Sequence, residues 1–307
     1  MFYTLHQLQI LVKVAEHQSI TKAADDLNLS QPAISIQLKN LQAQFELPLT
    51  EVIGRQLYVT DFGKQIVASS QRILQEADTI KYTVDQYKGM LTGSIKISVV
   101  STGKYVMPYF LKPFMEKYPG VDIMLDVSNK NMVVEAMRQN ECDFSLVSLV
   151  PEEMRVEKLE LMENRLYLAG NADFSTRVQY PSDLKKLTLL FREEGSATRK
   201  AMIDYLNKND IKPAKSMTLV SNEAIKQAIN AGLGFSIVPL IGLRTALESE
   251  NIRLYPVKGL PIITKWHLIY NRNKQLTPAQ KEFVNYINLH KEEVVKEHFN
   301  WALQEKP

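Results

Sequence analysis

The stretch Ser30-Gln31-Pro32-Ala33-Ile34-Ser35-Ile36-Gln37-Leu38-Lys39 decides how the first fifth of the chain folds. Ser30 is an N-cap residue type, and Pro32 falls in the first turn, where a missing N–H costs nothing. Ile34, Leu38 and Leu41 recur at i, i+4 and i+7, so one face of the helix is apolar. Gln31, Ser35, Lys39 and Gln42 then face outward. A major groove admits such a helix by its N-terminal side chains. Gln pairs with adenine, Ser donates or accepts, and Lys reaches guanine or phosphate.

Working outward, Leu5, Leu8, Leu11, Val12 and Ala15 predict a helix before it, and Ser19 caps a second. Ala23, Ala24 and Leu27 give the second helix a small-residue face, and Asn28-Leu29 makes the turn between positions 27 and 30. Downstream, Leu57–Thr60 is β-prone after Gly54. Phe62 to Gly89 is a long helical stretch in which Ile66, Ile73, Ile80 and Tyr87 recur at sevens, the pattern of a coiled-coil seam. After Gly93 the texture alternates. Strands are predicted at 95–100, 121–127, 144–150, 166–169, 187–191, 217–220, 235–238 and 266–270. Helices are predicted at 104–118, 132–139, 197–208, 223–231 and 279–303. Such alternation argues for α/β sheets.

The composition sets outer bounds. The chain has 307 residues, 45% hydrophobic and 23% charged, with a formal net charge of +3, ordinary for a multi-domain globular protein. Residues 1–90 carry eight Lys/Arg and nine Asp/Glu, so charge alone does not nominate them as a DNA binder. No apolar run is long enough to span a membrane. The first residues lack the pattern of a signal peptide, and a lone cysteine, Cys142, suits a reducing compartment. A cytoplasmic protein is expected.

The helical pattern resembles the LysR-type transcriptional regulators. The resemblance is carried by Leu8-Gln9, Val14-Ala15-Glu16, Ser19, Thr21, Ala23-Ala24, Leu27, Ser30-Gln31-Pro32-Ala33, Ser35, Gln37, Leu38, Leu41, Thr60 and Gly63. It implies an all-α winged helix-turn-helix over 1–62 and a dimerising linker helix over 63–90. An α/β, periplasmic-binding-protein-like effector domain follows over 91–307. Its two subdomains would comprise about 91–163 with 268–307, and about 164–267. The residues expected at DNA are Thr21, Lys22, Ser30, Gln31, Pro32, Ser35, Gln37, Lys39, Gln42 and Arg55. Members place an aromatic near position 50 and a basic residue near 52. Thr50 and Val52 stand here, which predicts modest affinity per head and a shallow salt slope.

The later part resembles the branch that regulates carbon-fixation (RuBisCO) operons. The segments Ser101–Tyr105, Tyr118–Val121, Ser128–Lys130, Arg192–Arg199, Ser221–Ala228 and Ala231–Gly234 carry that likeness. Ligands of open α/β sheets sit beyond strand carboxyl ends. Ser101, Thr102, Gly103 and Lys104 follow the first strand and present hydroxyls and backbone N–H groups to an anion. Ser196, Thr198, Arg192 and Arg199 do so from the second subdomain, and Ser128, Asn129, Ser148 and Asn222 stand at other strand ends. An anionic small-molecule effector is expected.

The partners expected besides the effector are double-stranded DNA, further copies of the chain as dimer or tetramer, and RNA polymerase. No membrane, metal or cofactor is expected: the histidines at 6, 17, 267, 290 and 298 lack ligand spacing. No catalytic residues are expected, since no Ser-His-Asp, Cys-His or phosphate-loop pattern stands out. A solute-binding protein, or an enzyme acting on a small anionic substrate, is the alternative reading. The 90-residue helical front opposes the former and the missing catalytic pairs the latter.

Overall fold

A computed structural model describes residues 3–54, 56–87, 90–175, 177–249 and 251–304. The chain divides into two compact units, Met1–Met90 and Leu91–Pro307.

In the first unit α1 (Leu5–His17) starts at a capping box in which the Thr4 and Gln7 side chains bond each other's backbone. Helix α2 (Ile20–Leu27) is capped by Ser19 and ends at Asn28, whose φ of 54° makes the sharp turn into the next helix. Asparagine tolerates that left-handed conformation better than most residues. Ser30 caps α3 (Gln31–Gln42). Ile34, Leu38 and Leu41 are buried with Leu8, Leu11, Val14, Ala23 and Ala24, so the apolar stripe of α3 is the seam of the tri-helical core. Truncating one of them to Ala would cost about 2–5 kcal/mol.

A hairpin follows, β1 (Thr50–Ile53) against β2 (Gln56–Val59), antiparallel with Thr50 opposite Val59. Thr60 then anchors the start of α4 (Asp61–Tyr87). Its hydroxyl donates to Pro48 O at 2.6 Å and accepts from Gly63 N at 2.9 Å. At Gly63 a Cβ would stand 2.0 Å from the Leu49 carbonyl oxygen. Only glycine lets α4 approach so closely.

The sevenfold repeat on α4 does not act as one seam. Ile66, with Val67 and Leu74, packs on the tri-helical core of its own unit, whereas Ile73 and Ile80 are exposed, the latter at 71%. The first repeat position is therefore spent on the head, and the free apolar stripe begins at Ile73. The side chains of Val84 and Tyr87 lie outside the described ones.

The second unit is a curled mixed sheet with helices. It runs β3 (Gly93–Val100), a 3-10 turn at Gly103–Tyr105, α5 (Met107–Lys117), β4 (Val121–Ser128), α6 (Lys130–Arg138) and β5 (Phe144–Val147). Then come β6 (Val156–Asn171), β7 (Thr188–Arg192), α7 (Ala197–Lys208), β8 (Lys215–Leu219), α8 (Asn222–Asn230), β9 (Ser236–Pro239) and α9 (Arg244–Glu248). β10 (Ile252–Tyr255), β11 (Ile262–Asn271), α10 (Pro278–His298) and α11 (Asn300–Leu303) complete it.

The strand order is β10-β6-β11-β5-β3-β4, with β9 also on β6, while β7 and β8 pair in parallel. Strands β6 and β11 run antiparallel from Ile262 opposite Leu166 to Asn271 opposite Val156, and they thread the two larger of the three cores found among the described residues of this unit. One core gathers Phe110, Phe114, Phe144, Trp266 and Phe283. The other gathers Leu168, Leu189, Phe191, Met202 and Ile237. Because β3, β4 and β5 are mutually parallel, as are β7 and β8, each core turns a set of strand carboxyl ends the same way. Among the described residues, no helix is long and apolar enough to cross a membrane.

Candidate DNA-reading and effector sites

On the first unit, α3 exposes Gln31, Pro32, Ser35 and Lys39. Ser30 is exposed and spends its oxygen as the cap, accepting from Ala33 N at 3.4 Å. Thr21 and Lys22 are exposed in the first turn of α2. Two expected readers are held elsewhere. Gln37 accepts at Oε1 from Gln7 Nε2 at 3.2 Å, which ties α3 to α1. Gln42 donates to Leu47 O at 3.1 Å and accepts from Leu49 N. Both ends of its amide clamp the loop into β1, so Gln42 is a structural residue rather than an outward one. Arg55 lies outside the described residues.

Ile36, absent from the expected set, is 57% exposed between Ser35 and Gln37. An apolar side chain there is the type that meets a thymine methyl in the major groove. Its signal was present in the sequence as an isoleucine off the buried stripe. On the hairpin Val52 and Ile53 are exposed, so this element offers apolar surface at those positions. Glu16, His17 and Asp26 bring ligand-type atoms within 4.8 Å of one another. The ammonium of Lys13 already sits among them, 2.9 Å from Glu16 and 3.0 Å from Asp26. His17 and then Lys13 hold the Asp26 carboxyl below its ordinary range by hydrogen bonding.

On the second unit, Ser101, Thr102, Asn129, Arg192, Ser196, Thr198 and Asn222 line one cleft with Lys130. Three helices begin at this cleft. Asn129 caps α6, Ser196 caps α7 and Ser221 caps α8, each accepting a backbone N–H. Helix N-termini carry partial positive charge and favour an anion. Thr102, Arg192, Ser196 and Thr198 are all less than 9% exposed, so a ligand reaching them is largely desolvated.

Arg192 is the electrostatic centre. Its Nε and Nη2 donate to the two Glu193 carboxylate oxygens at 2.7 Å each. Its Nη1 donates to Asn222 Oδ1, and Asn222 Nδ2 donates to Ser101 Oγ at 2.8 Å. A guanidinium has five N–H donors, so two remain for a ligand. Gly195, at φ 82°, brings the β7–α7 loop against Asn131, where a Cβ would meet the amide at 2.7 Å.

Five expected residues stand off the cleft wall. Arg199 donates to Arg192 O at 2.8 Å and lies over the Phe191 ring, which holds the β7–α7 loop. Gly103 is buried against Val99 and Leu146, and exposed Lys104 lies 5.1 Å from the Tyr105 ring centre. Ser128 and Ser148 end β4 and follow β5 without lining the cleft. Two residues were missed: Lys130, which reads as a surface charge, and Glu193, which reads as one more acid in a loop.

The bacterial regulatory helix-turn-helix family of lysR proteins matches residues 5–64, and the LysR substrate binding domain family matches residues 88–290. The chain belongs to the LysR family. This LysR-type transcriptional regulator is 33% identical to the HTH-type transcriptional activator CmpR of Synechocystis sp., over 95% of this chain and 97% of that one. It is also 33% identical to a RuBisCO operon transcriptional regulator of Allochromatium vinosum, over 94% and 96%. Among solved structures, the regulatory domain of Synechocystis CcmR in complex with 2-PG is similar with a TM-score of 0.62 and 28% identity. It covers 66% of the regulator and 98% of that domain. The likeness to carbon-fixation regulators thus extends over nearly the whole LysR-type chain.

Proposed function

We propose that this regulator holds a small anionic metabolite in the cleft at Arg192 and that occupancy changes how α3 engages promoter DNA. The carrying observation is convergence: a buried arginine with unspent donors, three helix N-termini and four hydroxyls face one small space. The complex of the similar CcmR domain with 2-PG supports a compact anion as occupant. Binding rather than catalysis is the reading, since neither histidine nor cysteine lines the cleft among the described residues.

Within this reading Gln31, Ser35 and Ile36 read base edges while Thr21, Lys22, Ser30 and Lys39 meet backbone phosphate. Ile73 and Ile80 pair α4 with a second copy, so two heads bind with avidity. The subdomain boundaries fall near 163/164 on β6 and near 264/265 on β11, a few residues before the 267/268 expected, because Met162 and Trp266 pack in the first core while Leu166 and Ile262 pack with the second. A cytoplasmic setting follows from the DNA partner. Calorimetry with 2-PG tests the cleft. The wild type binds one molecule per protomer, and both Arg192→Gln and Thr198→Val weaken binding at least about tenfold. Equal affinity in all three would contradict the assignment.

A further inference from the structure

Glu193 stands outside the cleft wall, yet it holds the cleft's central cation. Its two carboxylate oxygens accept from Nε and Nη2 of Arg192 at 2.7 Å each. Those two N–H groups share one edge of the guanidinium, the fork that matches a planar carboxylate. The Arg192 side chain is 3% exposed and that of Glu193 18%. The pair is therefore largely withdrawn from water, and the buried cation has its counter-charge before any ligand arrives.

The local backbone fixes this pairing. Arg192 ends β7 and Glu193 follows it, with the Glu193 carbonyl accepting from Ser196 N at 3.3 Å. The Arg199 guanidinium donates to Arg192 O at 2.8 Å. A carboxylate tethered beside its partner acts at high effective concentration, so a free monocarboxylate competes poorly for the same edge.

Asn222 takes one hydrogen of Nη1. The donors that remain are one on Nη1 and one on Nη2, and neither restores the Nε edge. A guest in the cleft meets these single donors, the hydroxyls of Thr102 and Thr198, and the first turns of α6 and α7. Separate donors suit the oxygens of a tetrahedral dianion, which point in different directions. A lone carboxylate, with two oxygens in one plane, finds its best partner already taken.

We infer that Glu193 is a positioning residue that sets specificity: it keeps the arginine's fork from the effector and so makes the cleft discriminate against monocarboxylates. The inference rests on the cleft being the effector site.

Full-length protein is titrated by calorimetry with 2-PG, with inorganic phosphate and with glycolate, at mildly alkaline pH where phosphate is a dianion. Wild type is expected to bind phosphate at least about tenfold more tightly than glycolate. Glu193→Gln frees one donor of the fork, and the preference falls to within about threefold because glycolate gains. Glu193→Asp keeps the charge but is one methylene too short to span both donors, and it moves the preference the same way. Glu194→Gln removes an equal charge from an exposed neighbour in the same loop and leaves the preference as in wild type.

Plain charge repulsion predicts the reverse, since removing an acid helps a dianion more than a monoanion. A role confined to supporting the loop predicts that both anions weaken together. Either of those results, or an unchanged preference in both Glu193 variants, would overturn the inference. Should neither 2-PG nor phosphate bind the wild type, the cleft assignment itself fails. Should 2-PG bind while the preference stays fixed, the role of Glu193 alone fails.

Discussion

Asn222 ties Ser101 to Arg192 across the effector cleft. Its amide N–H donates to Ser101 Oγ at 2.8 Å while its carbonyl oxygen accepts from the guanidinium. Ser101 follows β3 and Arg192 ends β7, so this one side chain latches groups built on separate cores and pre-positions the arginine's remaining donors. Preorganisation of that kind lowers the cost of binding.

Asn222→Ala is accordingly expected to weaken 2-PG by about tenfold, the scale of one charge-assisted hydrogen bond, with little change in DNA affinity without ligand. Calorimetry and a gel shift on the same preparation check both halves. Undiminished 2-PG affinity would show that the latch is incidental.

The glycine at the start of α4 makes a stability prediction. A Cβ at position 63 would lie 2.0 Å from Leu49 O and 2.9 Å from Val59 Cγ1, and both belong to packed backbone or core that cannot move aside cheaply. Gly63→Ala should destabilise the first unit by about 3 kcal/mol, read as a lower urea midpoint. A variant as stable as wild type would mean that α4 sits further from the hairpin.

Salt dependence tests the sparse charge of the DNA-reading surface. Lys22 and Lys39 are the lysines exposed on α2 and α3, and the hairpin exposes Val52 and Ile53. Two heads engaging four phosphates give a slope of about −4 in log K against log salt. Filter binding on a promoter fragment over a salt series measures it, and a slope steeper than about −8 would require cations from elsewhere in the protein.

Much of this architecture is local enough to be legible in one dimension. Ser19 and Ser30 announce α2 and α3 because an N-cap acts within three residues, and Asn28 marks the turn because few residues accept its φ. Seven of the twelve expected effector residues meet in the cleft, because strand ends and helix starts are written in short motifs. What escaped depends on distant partners. Gln37 is claimed by Gln7 thirty residues away, and Gln42 by a loop that folds back on it. Strand β6 was visible only at 166–169. Its first half, Val156 to Arg165, mixes charges into the strand because Lys158 and Glu160 face solvent while Leu161 and Met162 enter the core, and β10 spans only four residues. Ile66 kept the sevenfold rhythm yet serves its own head, since periodicity cannot say which neighbour an apolar face will meet.

That division of α4 yields a test of self-association. Ile80 is 71% exposed, so Ile80→Glu leaves the isolated fold intact while placing a charge in the proposed seam. Sedimentation should show a shift to smaller species, with promoter affinity reduced at least about tenfold through lost avidity. An unchanged assembly would move the seam off this stripe.

The central claim, that an anion at Arg192 alters promoter engagement, is tested most directly by footprinting the full-length regulator on a promoter with and without saturating 2-PG. Wild type is expected to change its protected length or its affinity on addition of the ligand. Arg192→Gln should give the ligand-free footprint in both conditions. An identical wild-type footprint with and without 2-PG, or the same ligand-driven change in Arg192→Gln, would contradict the account.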